Sequence, residues 1–259
     1  MTDALNITHP FIANPPHQRY NGVDHPFRAG LRVTDRIEFL KRLPLFADLD
    51  EAEIAVLSKD FTSRHFQQGD MIFLQGDQGQ MLYLIETGRV RIYVQDDSGQ
   101  ETSMIFYGSG DLFGELAVID GLPRSASAVA TEYTLVHTLS RERLRAHLAS
   151  SPQLAYNFMK ALSVRVRYTT QQVGNLTLLD VPSRLARKLL ELAQQHGQVD
   201  ADGVRLDMNL TQSDLASLIG ATRESINKAL GTFRRNGSIR LDQNQITIVD
   251  PDALREISS

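Results

Sequence analysis

The chain has 259 residues, a formal net charge of −4 and an apolar fraction of 42%, the profile of an ordinary globular protein long enough for one large domain or two small ones. It contains no cysteine, which removes thiol catalysis, disulfides, cysteine-ligated zinc and iron–sulfur clusters. No stretch is apolar over the length that a bilayer crossing needs, and the N-terminus has no apolar signal core, so a cytoplasmic protein with no membrane partner is expected.

Residues 1–34 carry Pro10, Pro15, Pro16 and Pro26 among polar residues without an apolar period, and read as an extended, flexible arm. Between about 35 and 60, Ile37, Leu40 and Leu43, then Ile54 and Leu57, recur at helical spacing, broken at Pro44. From 62 to 140 short apolar runs alternate with glycine-bearing turns: Met71–Leu74 before Gln75-Gly76-Asp77, Leu82–Ile85 before Thr87-Gly88, and the alternating Val90, Ile92, Val94. That texture predicts a β-sandwich, jelly roll or barrel.

Helix returns at 141–178. Ala155, Met159, Leu162, Val166, Thr169, Val173 and Leu176 step alternately by four and three, a heptad seam. Spacing alone leaves it open whether this seam is core or a dimer interface, since every globular helix buries an apolar face. Asn175–Asp180 reads as a hinge, Pro182 opens a further helix that stops at His196-Gly197, and Asp200–Asp207 reads as a hairpin turn region.

Residues 209–237 have the form of a helix-turn-helix. Thr211 and Asp214 make a capping-box arrangement, Leu215, Leu218 and Ile219 an inner face, Gly220-Ala221 the turn, and Thr222 the cap of a second helix whose inner face is Ile226, Ala229, Leu230 and Phe233. Arg223, Glu224 and Lys228 then stand where such a helix meets the major groove, with donors for guanine and an acceptor for cytosine N4. Thr211, Ser213 and Thr222 are candidates for phosphate contacts. Arg223, Lys228, Arg234, Arg235 and Arg240 are opposed in sequence only by Glu224. Ile239–Val249 reads as a hairpin, the wing of a winged helix.

Residues 113–128, FGELAVIDGLPRSASA, offer a helical turn at Gly114-Glu115, a carboxylate able to accept from a sugar hydroxyl, and Arg124 with Ser125 as an anion pair. By its residues alone Arg124 reads first as an ordinary surface arginine on a loop. The segment resembles the phosphate-binding cassette of cyclic-nucleotide-binding domains. The stretch VRVRYTTQQVGNLTLLDV, followed by PSRLARKLL, is similar to the dimer helix and hinge of the Crp/Fnr family, and GATRESINKAL resembles that family's recognition helix. The resemblance spans about residues 36–250.

It implies an α+β architecture: a β-barrel or jelly-roll cyclic-nucleotide-binding domain (35–150), a long dimerisation helix with its hinge (151–180) and a winged helix-turn-helix domain (181–259). It implies that Gly114, Glu115, Leu116 and Ala117 line a ribose-phosphate pocket, with Glu115 on the ribose hydroxyl and Arg124 and Ser125 on the cyclic phosphate. Arg165 is placed near Glu115 as its partner. Thr169 and Thr170 reach the purine, one from each subunit, where spacing alone makes Thr169 a seam filler. Gly76 and Gly88 match structural barrel glycines. Lys228 departs from the family's usual arginine, which puts readout of that base in doubt.

The expected protein is a homodimeric, allosteric, sequence-specific DNA-binding regulator, not an enzyme, gated by cyclic AMP and with RNA polymerase as a further partner. Its palindromic half-sites would lie roughly 34 Å apart, and effector binding would lengthen the helix through Asn175–Asp180. Cyclic GMP or another small effector is the alternative. A redox or gas sensor of the family, and a cyclic-nucleotide-binding module of an enzyme or channel, are weaker alternatives. Gly108, Gly110 and Gly114 do not have dinucleotide-fingerprint spacing. The histidines, among them His65, His137, His147 and His196, show no metal-ligand pairing, no nucleophile has a supporting base, and the sequons at Asn6, Asn175 and Asn209 are chance matches.

Overall fold

The computed structural model describes residues 33–99, 101–206, 210–242 and 245–258. Nearly all of the arm expected at 1–34 lies outside them, as do Asn6, Asp207 and Asn209. The chain divides into two compact units: one runs to Val166 except for Glu101–Met104, and the other comprises those four residues and Arg167 onward.

The first unit opens with helices α1 (Val33–Lys41) and α2 (Glu51–Asp60), the latter closed at its start by a capping box of Asp50 and Glu53. Strands β1 (Thr62–Phe66), β2 (Met71–Phe73), β3 (Met81–Thr87), β4 (Val90–Gln95), β5 (Glu101–Tyr107, its first four residues counted with the second unit) and β6 (Leu112–Phe113) follow, then the short helix α3 (Glu115–Asp120) and strands β7 (Ser127–Ala130) and β8 (Thr134–Ser140). They form two four-stranded sheets, in the orders β1-β8-β3-β6 and β2-β7-β4-β5, the sandwich that the alternating runs predict.

The run Leu82–Ile85 is apolar at every position because β3 is buried on both faces. Leu82 and Leu84 join Leu40, Leu57 and Leu139 in a core under the helices. Tyr83 and Ile85 join Val90, Phe113 and Val136 in a second cluster. Helix α4 (Arg141–Ser150) and the first half of the 27-residue helix α5 (Pro152–Leu178) complete this unit, with Leu154, Phe158 and Ala161 buried in the first core.

In the second unit, α6 (Val181–His196) starts from an Asp180 cap with proline in its first turn. The strands β9 (Gly197–Asp200) and β10 (Gly203–Leu206) precede helices α7 (Gln212–Ile219) and α8 (Arg223–Arg235). Strands β11 (Ile239–Asp242) and β12 (Gln245–Ile248) extend the β9-β10 hairpin into a four-stranded sheet, and α9 (Pro251–Ile257) ends the fold. Ile226, Ala229, Leu230 and Phe233 are all buried, as the inner face of the second helix requires.

The hinge expected over Asn175–Asp180 is shorter. Helix α5 continues through Leu178, with the Leu179 amide donating to the Asn175 carbonyl at 3.1 Å. Only Leu179 and Asp180 separate α5 from α6. Gly174 does not interrupt α5, a glycine inside a helix being a tolerated weakness rather than a stop.

Candidate functional site

Two arginines dominate the end of the first unit that carries α3. Arg124 is 5% exposed. Its backbone laces the loop before β7 to the turn after β2: the Arg124 amide donates to the Asp77 carbonyl at 2.8 Å, and the Gly76 amide donates to the Arg124 carbonyl at 2.9 Å. Its guanidinium donates to the carbonyls of Gly114 at 2.6 Å and Met81 at 2.7 Å, and lies 4.1 Å from the centre of the Phe73 ring. Nε, also buried, has no hydrogen-bond partner among the described residues. No carboxylate among them pairs with this side chain. Burial lowers the Arg124 pKa, opposed by Tyr83, Glu115 and Asp77, but an arginine stays charged through such a shift.

Glycines make this seat. Gly114 caps α3 at a φ of 74°, and a Cβ on it would stand 2.7 Å from Arg124 Nη1. A Cβ on Gly79 would stand 2.8 Å from Arg124 Nε and press on Ala117. The second arginine, Arg165 of α5, is ion-paired with Oε1 of Glu115, itself 2% exposed, and donates to the Leu112 carbonyl at 3.0 Å. Oε2 of Glu115 remains able to accept from a hydroxyl. Ala117 is buried, whereas Leu116 and Ser125 are exposed. The site thus combines a neutralised carboxylate–arginine pair with a buried cation that has no ion-pair partner among the described residues, which suits a ligand with one anionic group and a nearby hydroxyl.

Asp111, which sequence reasoning missed, is 1% exposed in the turn between β5 and β6 and accepts the Gly108 N–H at 2.8 Å. Burial pushes its carboxyl up to about 7, against the Gly108 hydrogen bond and the Arg165 charge. The folded protein therefore binds this proton more tightly than the unfolded chain. Its contribution is complete below the ordinary carboxylate range and is lost as pH rises through about 7. Asp111→Asn, which keeps an acceptor for Gly108, is expected to flatten the fall in stability between pH 4 and 7. Urea denaturation at both pH values checks this, and an unchanged slope would assign the pH dependence to other groups.

In the second unit the helix-turn-helix is built by its caps. Thr211 accepts the Asp214 amide at 3.1 Å and donates to its carboxylate at 2.7 Å, and Thr222 accepts the Ser225 amide at 3.2 Å. Gly220, at a φ of 63°, ends α7. These caps fix α8 so that Arg223, Glu224 and Lys228 are exposed opposite its buried face, and Ser213 is exposed on α7. Asn227 shares that exposed face and was not singled out from sequence, although its spacing of four from Arg223 places it there. The basic run is less unopposed than its sequence suggests, because Arg240 pairs with Asp202 of the β9-β10 turn at 2.8 Å.

On α5 the heptad seam faces outward. Met159, Val166, Val173 and Leu176 are between 53% and 65% exposed, and Thr169 and Thr170 are exposed beside them. Among the described residues, no helix is long and apolar enough to cross a membrane.

A cyclic nucleotide-binding domain profile matches residues 63–151, and a Crp-like helix-turn-helix domain profile matches residues 183–257. The chain is 35% identical over 217 residues to a CRP-like cAMP-activated global transcriptional regulator of Mycobacterium tuberculosis, covering 84% of this chain and 97% of that protein. It is 33% identical to the cyclic AMP receptor protein of Thermus thermophilus, covering 85% and 98%. The chain belongs to the Crp/Fnr family. A solved CRP/FNR-family transcriptional regulator from Thermus thermophilus is similar at 26% identity and a TM-score of 0.65, over 76% of this chain and 98% of that one.

As a Crp/Fnr protein it is a DNA-binding transcription regulator with a cyclic nucleotide-binding domain, not an enzyme. The Arg124 and Glu115 cluster falls inside the first profile and the capped helix pair inside the second. Gly108, Gly110 and Gly114 lie in the β5–β6 turn and at the α3 cap of an antiparallel sandwich, not in a dinucleotide-binding unit. His137 is held between Glu86 at 2.7 Å and Ser63 at 3.2 Å, and His147 contacts Asp60 at 2.8 Å.

Proposed function

We propose that this protein is a homodimeric transcription regulator gated by cyclic AMP, and that the pocket beneath α3 holds the nucleotide. The observation that carries this is Arg124, a buried cation whose Nε has no hydrogen-bond partner and whose guanidinium has no carboxylate partner among the described residues. A singly charged cyclic phosphate supplies the missing charge, with Ser125 adding a hydroxyl. Gly114, Leu116 and Ala117 complete the wall through the α3 backbone and its first turn. Glu115, held by Arg165, accepts from the ribose hydroxyl through Oε2. Thr169 and Thr170 are assigned to the base on the strength of the family pattern.

The dimer is supported by the exposed apolar seam of α5, which a heptad partner would cover. Cyclic AMP is favoured over cyclic GMP because the relatives above carry cyclic AMP in their names. Effector contacts from both subunits would stabilise one arrangement of the two α5 helices over another and so bias the DNA-binding units.

The test is calorimetric titration with cyclic AMP and with cyclic GMP, each with and without a DNA duplex selected in vitro for binding. Tight binding of cyclic AMP that raises DNA affinity supports the proposal. A response to cyclic GMP alone would replace the effector, and no response to either would overturn the gating. Within the pocket, Gly79→Ala is expected to weaken nucleotide binding about tenfold or more, the worth of one hydrogen bond to a charged group, because its Cβ covers Arg124 Nε. Calorimetry measures the loss, with the melting temperature as the control for folding. Unchanged affinity would remove Nε from the phosphate contact.

A further inference from the structure

Helix α5 carries a second stripe, one residue out of step with the exposed seam. It begins with the buried Leu154, Phe158 and Ala161 and turns polar at Arg165, Tyr168 and Asn175. In the second unit Tyr168 and Asn175 meet α6. The Tyr168 hydroxyl donates to Oε1 of Glu191 at 2.8 Å. Lys188, 5% exposed, donates to that hydroxyl at 2.9 Å and to the two carboxylate oxygens of Glu191 at 3.0 and 2.9 Å. Further along, Arg187 donates to Asn175 Oδ1 at 2.7 Å. None of Tyr168, Lys188 or Glu191 belongs to the nucleotide pocket or to the exposed face of α8.

An apolar contact between two helices tolerates sliding and rotation, because the hydrophobic effect is non-directional. Hydrogen bonds to an ion pair whose lysine is buried and whose carboxylate is half-buried do not, since each weakens steeply with angle and an unpaired buried charge is costly. Burial and Glu191 both push the Tyr168 phenol far above its ordinary range, so it remains a hydrogen-bond donor throughout the pH range of the folded protein. Tyr168 also directly precedes Thr169 and Thr170.

We propose that Tyr168, Lys188 and Glu191 form a coupling latch that makes the end of α5 and helix α6 move as one piece, so that effector contacts at Thr169 and Thr170 reach the DNA-binding helices. The role rests on the effector reading above, and the latch itself on the hydrogen bonds between α5 and α6. Tyr168 is a positioning residue in this scheme and touches neither nucleotide nor DNA.

The experiment uses full-length protein and two variants. Tyr168→Phe deletes only the hydroxyl. Lys188→Met/Glu191→Met replaces the ion pair with apolar chains of similar length, which avoids stranding one buried charge. Fluorescence anisotropy measures the factor by which cyclic AMP raises DNA affinity, and calorimetry measures cyclic AMP binding without DNA. Each variant is expected to lower the stimulation factor about tenfold, with nucleotide affinity in the absence of DNA and the melting temperature close to wild type. A stimulation factor equal to wild type in both variants would overturn the proposal. If the wild-type protein responds to neither cyclic AMP nor cyclic GMP, the effector reading falls and hydrogen exchange decides the latch. Faster exchange across residues 167–178 in Tyr168→Phe supports it, and unchanged exchange removes it.

Discussion

Arg124→Ala is expected to weaken cyclic AMP binding at least about a hundredfold, two charge-assisted hydrogen bonds being worth that much or more. The same substitution has a structural effect that must be separated from it. Arg124 satisfies the carbonyls of Gly114 and Met81 and covers the Phe73 ring, so alanine strands two acceptors and opens a cavity, at a cost of about 2–4 kcal/mol. Arg124→Lys separates the two. Its ammonium keeps the positive charge but lacks the planar fork that holds both carbonyls while leaving a further N–H for the ligand. The lysine variant should therefore bind more tightly than the alanine variant and more weakly than wild type, in calorimetry below the melting temperature of each. If the alanine variant binds cyclic AMP as wild type does, the phosphate is not at Arg124 and the pocket assignment fails.

Local chemistry was the legible part of this fold. Both helices of the helix-turn-helix are announced by residues that act within three positions of themselves: Thr211 on Asp214, Thr222 on Ser225, and Gly220 at a positive φ. The strand run Leu82–Ile85 is legible for the same reason, since its continuous apolarity reports a strand covered on both faces. The seam of α5 was legible as spacing but not as orientation. The helix has two interleaved heptad stripes, and only the packing of Leu154, Phe158 and Ala161 into the core decides that the stripe through Met159 and Val166 faces outward.

What escaped the sequence was contact at long range. The Arg124 guanidinium meets the Met81 carbonyl 43 positions away, and no local pattern encodes that meeting. From the residues alone Arg124 could as well have stood on the surface, and the family resemblance was needed to choose. Asp111, Lys188 and Tyr168 gave no signal because burial, not residue type, makes them unusual. The expected hinge over Asn175–Asp180 is too long because Asn175 is tied to Arg187 and to the Leu179 amide inside a continuing turn, contacts that no local pattern encodes.

At the DNA, Arg223→Ala is expected to reduce affinity for the selected site about ten- to a hundredfold and to relax preference at one base pair, the range for loss of one bidentate base contact. Arg223 is exposed in the first turn of α8, next to the Thr222 cap that fixes its direction, so the loss should be in readout rather than in folding. Arg234→Ala serves as the contrast. It lies in the last turn of the same helix, on its exposed surface, where a cation meets phosphate rather than base edges. Removing it should weaken all sequences alike and lower the slope of log affinity against log salt by about one. Anisotropy titrations on the selected site and on single-base variants of it, at two salt concentrations, separate the two behaviours. Equal loss on every sequence for Arg223→Ala would move base readout away from the start of α8 and toward Asn227 and Lys228, one turn further along the same exposed face.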